Sequence, residues 1–495
     1  MIFPVLNRIN CLMLGLLVIA ITSRSPAKAQ LKTDSLLAIA MGINANTWQL
    51  SANPIFLKGA LIPNYAHVGI SASLIAGDFK RPQDFKKQKS IGFGTNGLST
   101  TGNWLFFGRF NYGKIFRDSI KYANVARPYD GNPFITGDAI GGNWRGDGLD
   151  AGLQVLLPNI KNWQAALKLD YATEQNSRDN DPKPLNRLLH YAIQPSVAYT
   201  FNNKHLLSLL AGYRVSDETI ETGYYADQNP IIYSIRGYGE FSAGPVVTAQ
   251  RFTKGYGFTV GVDYRYKSHG ELLFSARFGY RTQDVNEGVA KPVFVGGFDE
   301  RKGEAILGYQ IDNNKNGWSV SAKGWFLDGT GFDPVFRSVN PAHYHSGISG
   351  KLSYWKKNAS QRLIQMALYP GMSYTNYFES IAKTDWTSTM LHQEAGISMI
   401  SHPAKKVTLA GELKMGYHFN FYQHLIINRP TLLSPILVTP HYQFATSNYL
   451  NGAFQFSATY QTANVGYQLA AHVEVQKAGH RSHRTFSNIS LNLIF

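Results

Sequence analysis

The chain of 495 residues carries a formal charge of +16, and Cys11 is its only cysteine. Once a leader holding Cys11 is removed, thiol catalysis, disulfide staples and cysteine-ligated metal centres are excluded. Lysines and arginines are scattered among acids, without a basic block or a zinc-finger spacing, so no nucleic-acid partner is expected; the charge suits lipid headgroups or an acidic ligand.

Residues 1–29 read as an export signal. Arg8 precedes the apolar run Cys11 to Ile21, and Ala27-Lys28-Ala29 offers a small-x-small cleavage site. A helical anchor takes about twenty apolar residues, and this shorter run is ended by Ser23, Arg24, Ser25 and Pro26. Cleavage before Gln30 leaves 466 residues and takes Arg8, Arg24 and Lys28 away, lowering the charge to +13. A soluble chain of that length divides into two or three domains, yet no linker or compositional shift follows Tyr65. With 28 Tyr, 29 Phe, 8 Trp and 46 Gly, the composition suits strands with aromatic girdles.

Residues 30–65 hold an apolar helical stretch, Ser35 to Met41, then Trp48 and Ser51-Ala52-Asn53-Pro54. Two placements are open for this segment, beneath the body formed by the rest or inserted into its lumen. Residues 66–495 repeat a segment of about ten residues with alternating apolar and polar positions, the length and period of a membrane-spanning strand. In Tyr256 to Tyr266, Tyr256, Phe258, Val260, Val262, Tyr264 and Tyr266 alternate with Gly257, Thr259, Gly261, Asp263 and Arg265. The expected strands are 66–76, 89–98, 103–114, 148–157, 162–173, 189–201, 205–215, 256–266, 271–282, 303–312, 318–327, 345–355, 362–374, 387–400, 407–419, 452–461, 465–475 and 485–495.

Soluble antiparallel sheets also alternate, so loop lengths decide. Turns such as Asn202-Asn203-Lys204 and Lys267-Ser268-His269-Gly270 are expected to alternate strictly with long loops such as 115–147, 216–255 and 420–451. Short turns at one end and long loops at the other predict an all-β transmembrane antiparallel up-and-down β-barrel of about 18 strands, with turns in the periplasm and loops outside the cell. Ile231 to Phe241 is either a further strand or a hairpin arm above the membrane, and parity favours the latter.

On the inward positions, Arg109, Lys168, Arg214, Arg265, Arg277, Arg281, Lys323, Lys351 and Lys414 face Asp150, Asp170, Asp263, Glu304, Asp312, Glu394, Glu412 and Glu474. The signs nearly balance. That describes either a lumen packed with ion pairs or a solute path shaped by them, and it lacks the cationic excess of a strongly anion-selective pore.

No catalytic site, cofactor site or metal site is legible. His343-Tyr344-His345-Ser346 places two histidines on one face at an outer strand end, with no carboxylate nearby in sequence to complete a metal set. Asp312-Asn313-Asn314-Lys315-Asn316-Gly317 matches the first half of a calcium loop, but Lys323 stands where the bidentate acid belongs, so a hairpin turn is expected. Arg145-Gly146-Asp147 is placed in an outer loop and given no role.

The C-terminal run Ile489, Leu491, Leu493 and Phe495 resembles the signal by which bacterial outer-membrane barrels engage their assembly machinery. With Trp48, Asn53-Pro54 and the alternating strands, the chain resembles porin-like outer-membrane barrels of Bacteroidota, often encoded beside TonB-dependent receptors and surface lipoproteins. Asn53-Pro54 also resembles the start of fatty-acid-transporter barrels, although those have fewer strands and small residues where Ile55-Phe56-Leu57 stands. The resemblance implies an outer-membrane location among lipid, and a part in transport as a channel or as partner of a TonB-dependent receptor or surface lipoprotein. A non-conducting scaffold barrel and a rim enzyme are the competing readings. A receptor of the twenty-two-strand class is not expected, since no plug domain of over a hundred residues precedes the strands.

Overall fold

The computed structural model describes residues 50–495 apart from 60–63, 126, 224–230, 246–248, 314, 359–361, 464 and 480–481. The export signal, the stretch 35–41 and Trp48 lie outside the described residues. The strands are β1 (Tyr65–Gly77), β2 (Lys87–Thr101), β3 (Trp104–Ile120), β4 (Phe134–Asp138), β5 (Gly142–Leu156), β6 (Trp163–Arg178) and β7 (Leu185–Phe201). They continue with β8 (His205–Thr222), β9 (Ile231–Arg236), β10 (Phe241–Pro245), β11 (Ala249–Lys267), β12 (Glu271–Glu287), β13 (Val293–Asp312) and β14 (Asn316–Asp333). The last are β15 (Ser338–Lys357), β16 (Leu363–Glu379), β17 (Thr384–Ala404), β18 (Val407–Ile427), β19 (Tyr449–Gln461), β20 (Gly466–Ala478) and β21 (Ser482–Ile494).

All but β4, β9 and β10 belong to one 18-stranded sheet in which each strand pairs with the next, and β21 pairs with β1. The sheet is a closed antiparallel barrel. Closure is required because open edges in hydrocarbon leave N–H and C=O groups unpaired. Both chain ends of the barrel lie at one end, called near; the opposite end is far.

Alternation sorts the side chains. Ile70, Phe93, Val260, Leu307, Ile348 and Leu368 point outward and are exposed, while their neighbours Asp263, Ser275, Ser353 and Gln365 are buried inside. Aromatic residues ring both edges of the apolar band: Trp104, Trp163, Trp318 and Tyr354 at the near edge, Tyr112, Tyr213, Tyr256 and Tyr344 at the far one. Tyr344 and Tyr354 are ten residues apart on β15, about 33 Å at roughly 3.3 Å per residue, or about 25 Å of height once tilted by about 40°. Beyond the far ring the outward positions turn charged, at Arg187, Asp217, Lys254, Asp284 and Asp328. The strands therefore stand well above the apolar band.

That overshoot corrects the expected loop pattern. β17 and β18 each run 21 residues, and the far connections 288–292, 334–337 and 380–383 are as short as the near turns. Loop 115–147 gives up most of its length to β3, β4 and β5, and Arg145-Gly146-Asp147 lies within β5 rather than in a loop. Residues 231–245 form the hairpin β9–β10, which joins β4 in a separate three-stranded sheet at the far end. Around Asp312 to Gly317 the chain turns between β13 and β14, with Asn313 N donating to Asn316 O at 2.9 Å.

The apolar outer face sets the first prediction. Ile348 is 55% exposed midway between the two rings, so Ile348→Arg is expected to destabilise the barrel by about 2–4 kcal/mol. Urea unfolding from phospholipid vesicles measures this, and Ser346→Arg, closer to the far ring, is expected to cost less.

Candidate functional site

Two structures sit at the ends of the lumen. At the near mouth, residues 50–59 enter the barrel, with a short 3-10 helix at Pro54–Gly59. Ile55, Phe56 and Leu57 are fully buried against Leu98, Leu156, Ala166, Ala198, Leu206 and Leu273, inner residues of β2, β5, β6, β7, β8 and β12. Asn53 is the latch of this plug. Its Nδ2 donates to Asp263 Oδ2 at 2.6 Å and to Ser208 Oγ at 3.0 Å, and its Oδ1 accepts from Ile55 N at 3.1 Å. Asp263, with no exposed surface, also pairs with Arg277 at 2.6 Å, and Arg277 reaches Ser51 O at 3.4 Å.

At the far mouth, the described residues of 121–141 and the hairpin 231–245, together with 428–448, form a cap. Val125, Ile135, Ile220, Ile235, Leu433 and Leu437 make its core. Arginines bind it to the wall: Arg178 to Asp138 at 2.6 Å with both side chains fully buried, Arg281 to Asp130 at 3.1 Å and Glu300 at 2.8 Å, and Arg251 to Phe134 O at 3.1 Å. On the far rim, beyond the membrane band, Glu379 accepts from Gly239 N at 3.0 Å, from Tyr238 N and from the Tyr377 hydroxyl. Burial outweighs these donors and pushes the Glu379 carboxyl up to about 7.

The seventeen charged residues expected inside all lie on inward positions. Arg109 bridges Asp150 at 3.2 Å and Asp170 at 2.9 Å, and Lys168 also reaches Asp170, at 3.3 Å. Lys323 meets Glu304 at 2.6 Å, Lys414 meets Glu412 at 3.2 Å, and Gln476 donates to Glu474 at 3.0 Å. Arg265 covers the Phe56 ring, Arg214 sits opposite Gly257, and Lys351 and Lys414 flank the Tyr369 ring.

His343 and His345 are not at a rim. They lie within β15, His343 stacked on Phe298 and His345 hydrogen-bonded to Thr375 Oγ1 at 2.6 Å. Among the described residues no group of three or more His, Cys, Asp or Glu is arranged to hold a metal ion.

A constellation that the alternation does not single out lies across the lumen on β16–β19. Ser373 Oγ is 2.9 Å from His392 Nε2, His392 Nδ1 is 2.6 Å from His418 Nδ1, and His418 Nε2 is 2.9 Å from Glu394 Oε1, which also accepts from Asn451 Nδ2 at 3.2 Å. One set of tautomers satisfies every bond: Ser373 donates to His392, His392 through Nδ1–H to His418, and His418 through Nε2–H to the Glu394 carboxylate. The line can pass a proton or orient a polar solute. Both edges of β16 are committed to ladders with β15 and β17, so Ser373 has no spare backbone donors beside it for an oxyanion. The signal for this chain was cross-strand register, which sets His392 opposite His418.

Residues 54–495 match the family described as "Family of unknown function (DUF6850)". No curated protein sequence matches. Among solved structures, the chain is similar to BauA, the ferric preacinetobactin receptor of Acinetobacter baumannii, at 9% identity over 87% of this chain and 80% of that one, with a TM-score of 0.41. For the outer membrane transporter YddB of Escherichia coli the figures are 7%, 86%, 81% and 0.39. For the copper transporter OprC they are 9%, 83%, 61% and 0.44. Likeness at this level concerns barrel shape alone.

Two predictions follow from the latches. Asp263→Ala strips Arg277 and Asn53 of their partner in a dry site, and breaking a buried pair from one side costs about 3–5 kcal/mol; urea unfolding should show that loss, with residues 50–59 becoming open to protease. Glu379 gives up its proton near pH 7 in the folded chain and at the ordinary, lower glutamate value when unfolded. The folded state thus holds more protons between those values, and its stability falls as pH rises through that window. Amide exchange of Tyr238 and Gly239 is the readout: excess opening should grow toward pH 7 beyond the intrinsic rate, and Glu379→Gln should remove that excess dependence.

Proposed function

This chain belongs to the family of unknown function DUF6850, and we propose that it is a gated outer-membrane barrel taking part in solute transfer, closed at rest. The plug latched by Asn53 on Asp263 carries the reading. A body that only had to be solid could fill its lumen with apolar side chains; a plug held through a buried, charge-assisted bond can be released when that bond is exchanged. Beyond the plug, the wall of β15–β19 presents Lys351, Lys414, Tyr369 and the Ser373-to-Glu394 line to the lumen, a polar lining suited to a hydrated solute. The outer membrane supplies the setting in which near turns face the periplasm and the cap faces outward.

Coupling to a TonB-dependent receptor or a surface lipoprotein fits the same reading, the partner drawing the plug or lifting the cap. The scaffold reading has its own support, because both mouths are occupied. Conductance in planar bilayers separates the two. The intact chain should conduct little, and a variant lacking 428–448 and carrying Asn53→Ala with Arg277→Ala should open discrete channels whose ion preference shifts on Lys351→Glu with Lys414→Glu. Silence in a correctly folded double-opened variant would leave the scaffold.

A further inference from the structure

The turns at the near end carry charge of one sign. Six of them follow one another around the wall, those leaving β5, β7, β11, β13, β15 and β17, and each holds an exposed lysine: Lys161, Lys204, Lys267, Lys315, Lys357 and Lys406. Arg362 and Lys405 stand beside them. Among the described residues of these turns and the residues flanking them, the acids are Glu271 and Asp312. Two carboxylates leave most of that charge unmatched. Backbone bonds also draw lysines together in pairs, Lys267 N donating to Lys204 O at 2.9 Å and Lys357 N to Lys315 O at 2.6 Å. Like charges held side by side across strands destabilise a sheet, so the arrangement calls for a countercharge from outside the chain.

The far rim is built differently. Its exposed cations are matched, Lys86 with Asp78 at 3.2 Å, Arg127 with Glu174 at 3.2 Å and Arg187 with Glu221 at 2.6 Å. The remaining near connections, 102–103 and 462–465, carry no charged residue, so the near cations form an arc on one side of the barrel. Height decides what meets that arc. Trp163 follows Lys161 by two residues, Trp318 follows Lys315 by three, and Tyr354 precedes Lys357 by three. These rings mark the near edge of the apolar band, and amphipathic rings of this kind settle at the level of lipid headgroups. The lysines therefore stand among the headgroups, spread along the circumference that lipid touches and not across the mouth.

From this unmatched row of cations at headgroup height we propose that the arc from β5 to β18 is a binding surface for anionic phospholipid, with a phosphate seated between Lys204 and Lys267 and another between Lys315 and Lys357. The proposal goes beyond the transport reading and does not depend on it, because lipid binding is measured without any current through the lumen.

The barrel carries its own reporters. Among the described residues the tryptophans facing lipid are Trp104, Trp163 and Trp318; two lie beside the arc, and Trp104 lies beside the uncharged turn 102–103. The full chain is reconstituted into phosphatidylcholine vesicles holding a small fraction of either phosphatidylglycerol or phosphatidylcholine brominated on its acyl chains, and quenching of tryptophan fluorescence gives the occupancy of each lipid. With Trp104→Phe, phosphatidylglycerol should be favoured about fivefold at the two remaining reporters, the factor one cation provides at an anionic surface. With Trp163→Phe and Trp318→Phe together, the preference seen at Trp104 should be near one. Lys204→Gln, Lys267→Gln, Lys315→Gln and Lys357→Gln combined should abolish the preference beside the arc. Should that variant not fold, about 1 M salt, which screens charges beyond about 3 Å, should abolish it on the lysine-bearing chain. Equal occupancy by the two lipids, the same preference at Trp104, or a preference that survives loss or screening of the lysines would overturn the proposal. Capture of a polyglutamate peptide without any lipid preference would assign the arc to an acidic protein instead.

Discussion

The seam between the first and last strands governs everything inside the barrel. Phe495 N donates to Ala66 O at 2.8 Å and Ala66 N to Phe495 O at 3.1 Å, and the ladder continues from His67 opposite Ile494 to Gly77 opposite Arg484. Each rung returns a backbone group to a partner that neither lipid nor an apolar neighbour could supply. The circumference is thereby set at eighteen strands, and so is the width that a plug and a cap must bridge. The parity of inward and outward residues on every strand follows from the same registers, because a slip of one residue would exchange the two faces.

Within that cylinder, one chemical device recurs. Arginine joined to a buried carboxylate holds the plug, through Arg277 and Asp263, and joins cap to wall, through Arg178 and Asp138. Such pairs are geometrically demanding and contribute modestly to stability relative to apolar packing, while tolerating no loss of one partner. The apolar clusters around Phe56 and around Leu433 supply the burial; the ion pairs set where those clusters sit. Polar joints between apolar pieces suit parts that stay in place yet are able to separate.

The architecture was legible because a period of two survives in any strand with lipid on one side and water on the other. Val260, Val262 and Tyr264 against Gly261, Asp263 and Arg265 announce both faces without any knowledge of partners. Strand ends were less legible: above the apolar band the outward positions become polar at Asp217, Lys254 and Asp284, so the alternation fades and the extended backbone there reads as loop. The charged lumen residues could be placed on a face, but not paired, because pairing depends on register. Arg109 finds Asp170 on a strand two removed in the wall, and Ser373, His392, His418 and Glu394 come together from three strands. Asn53 lies 210 residues from Asp263, and nothing local in Ser51-Ala52-Asn53-Pro54 reports that distance closed.

The small cap sheet has two outer edges, along β4 and β10. Along β4 the edge is taken up, Tyr122 N donating to Asp138 O at 2.8 Å and Asn124 N to Thr136 O at 2.7 Å. Along β10 no such cover is seen among the described residues, but the strand is five residues long and ends at Pro245, which has no amide proton to offer. A short ribbon finished by proline is a poor template for recruiting a stranger's backbone, so neighbouring barrels crowded in one membrane can brush cap against cap without zipping into aggregates.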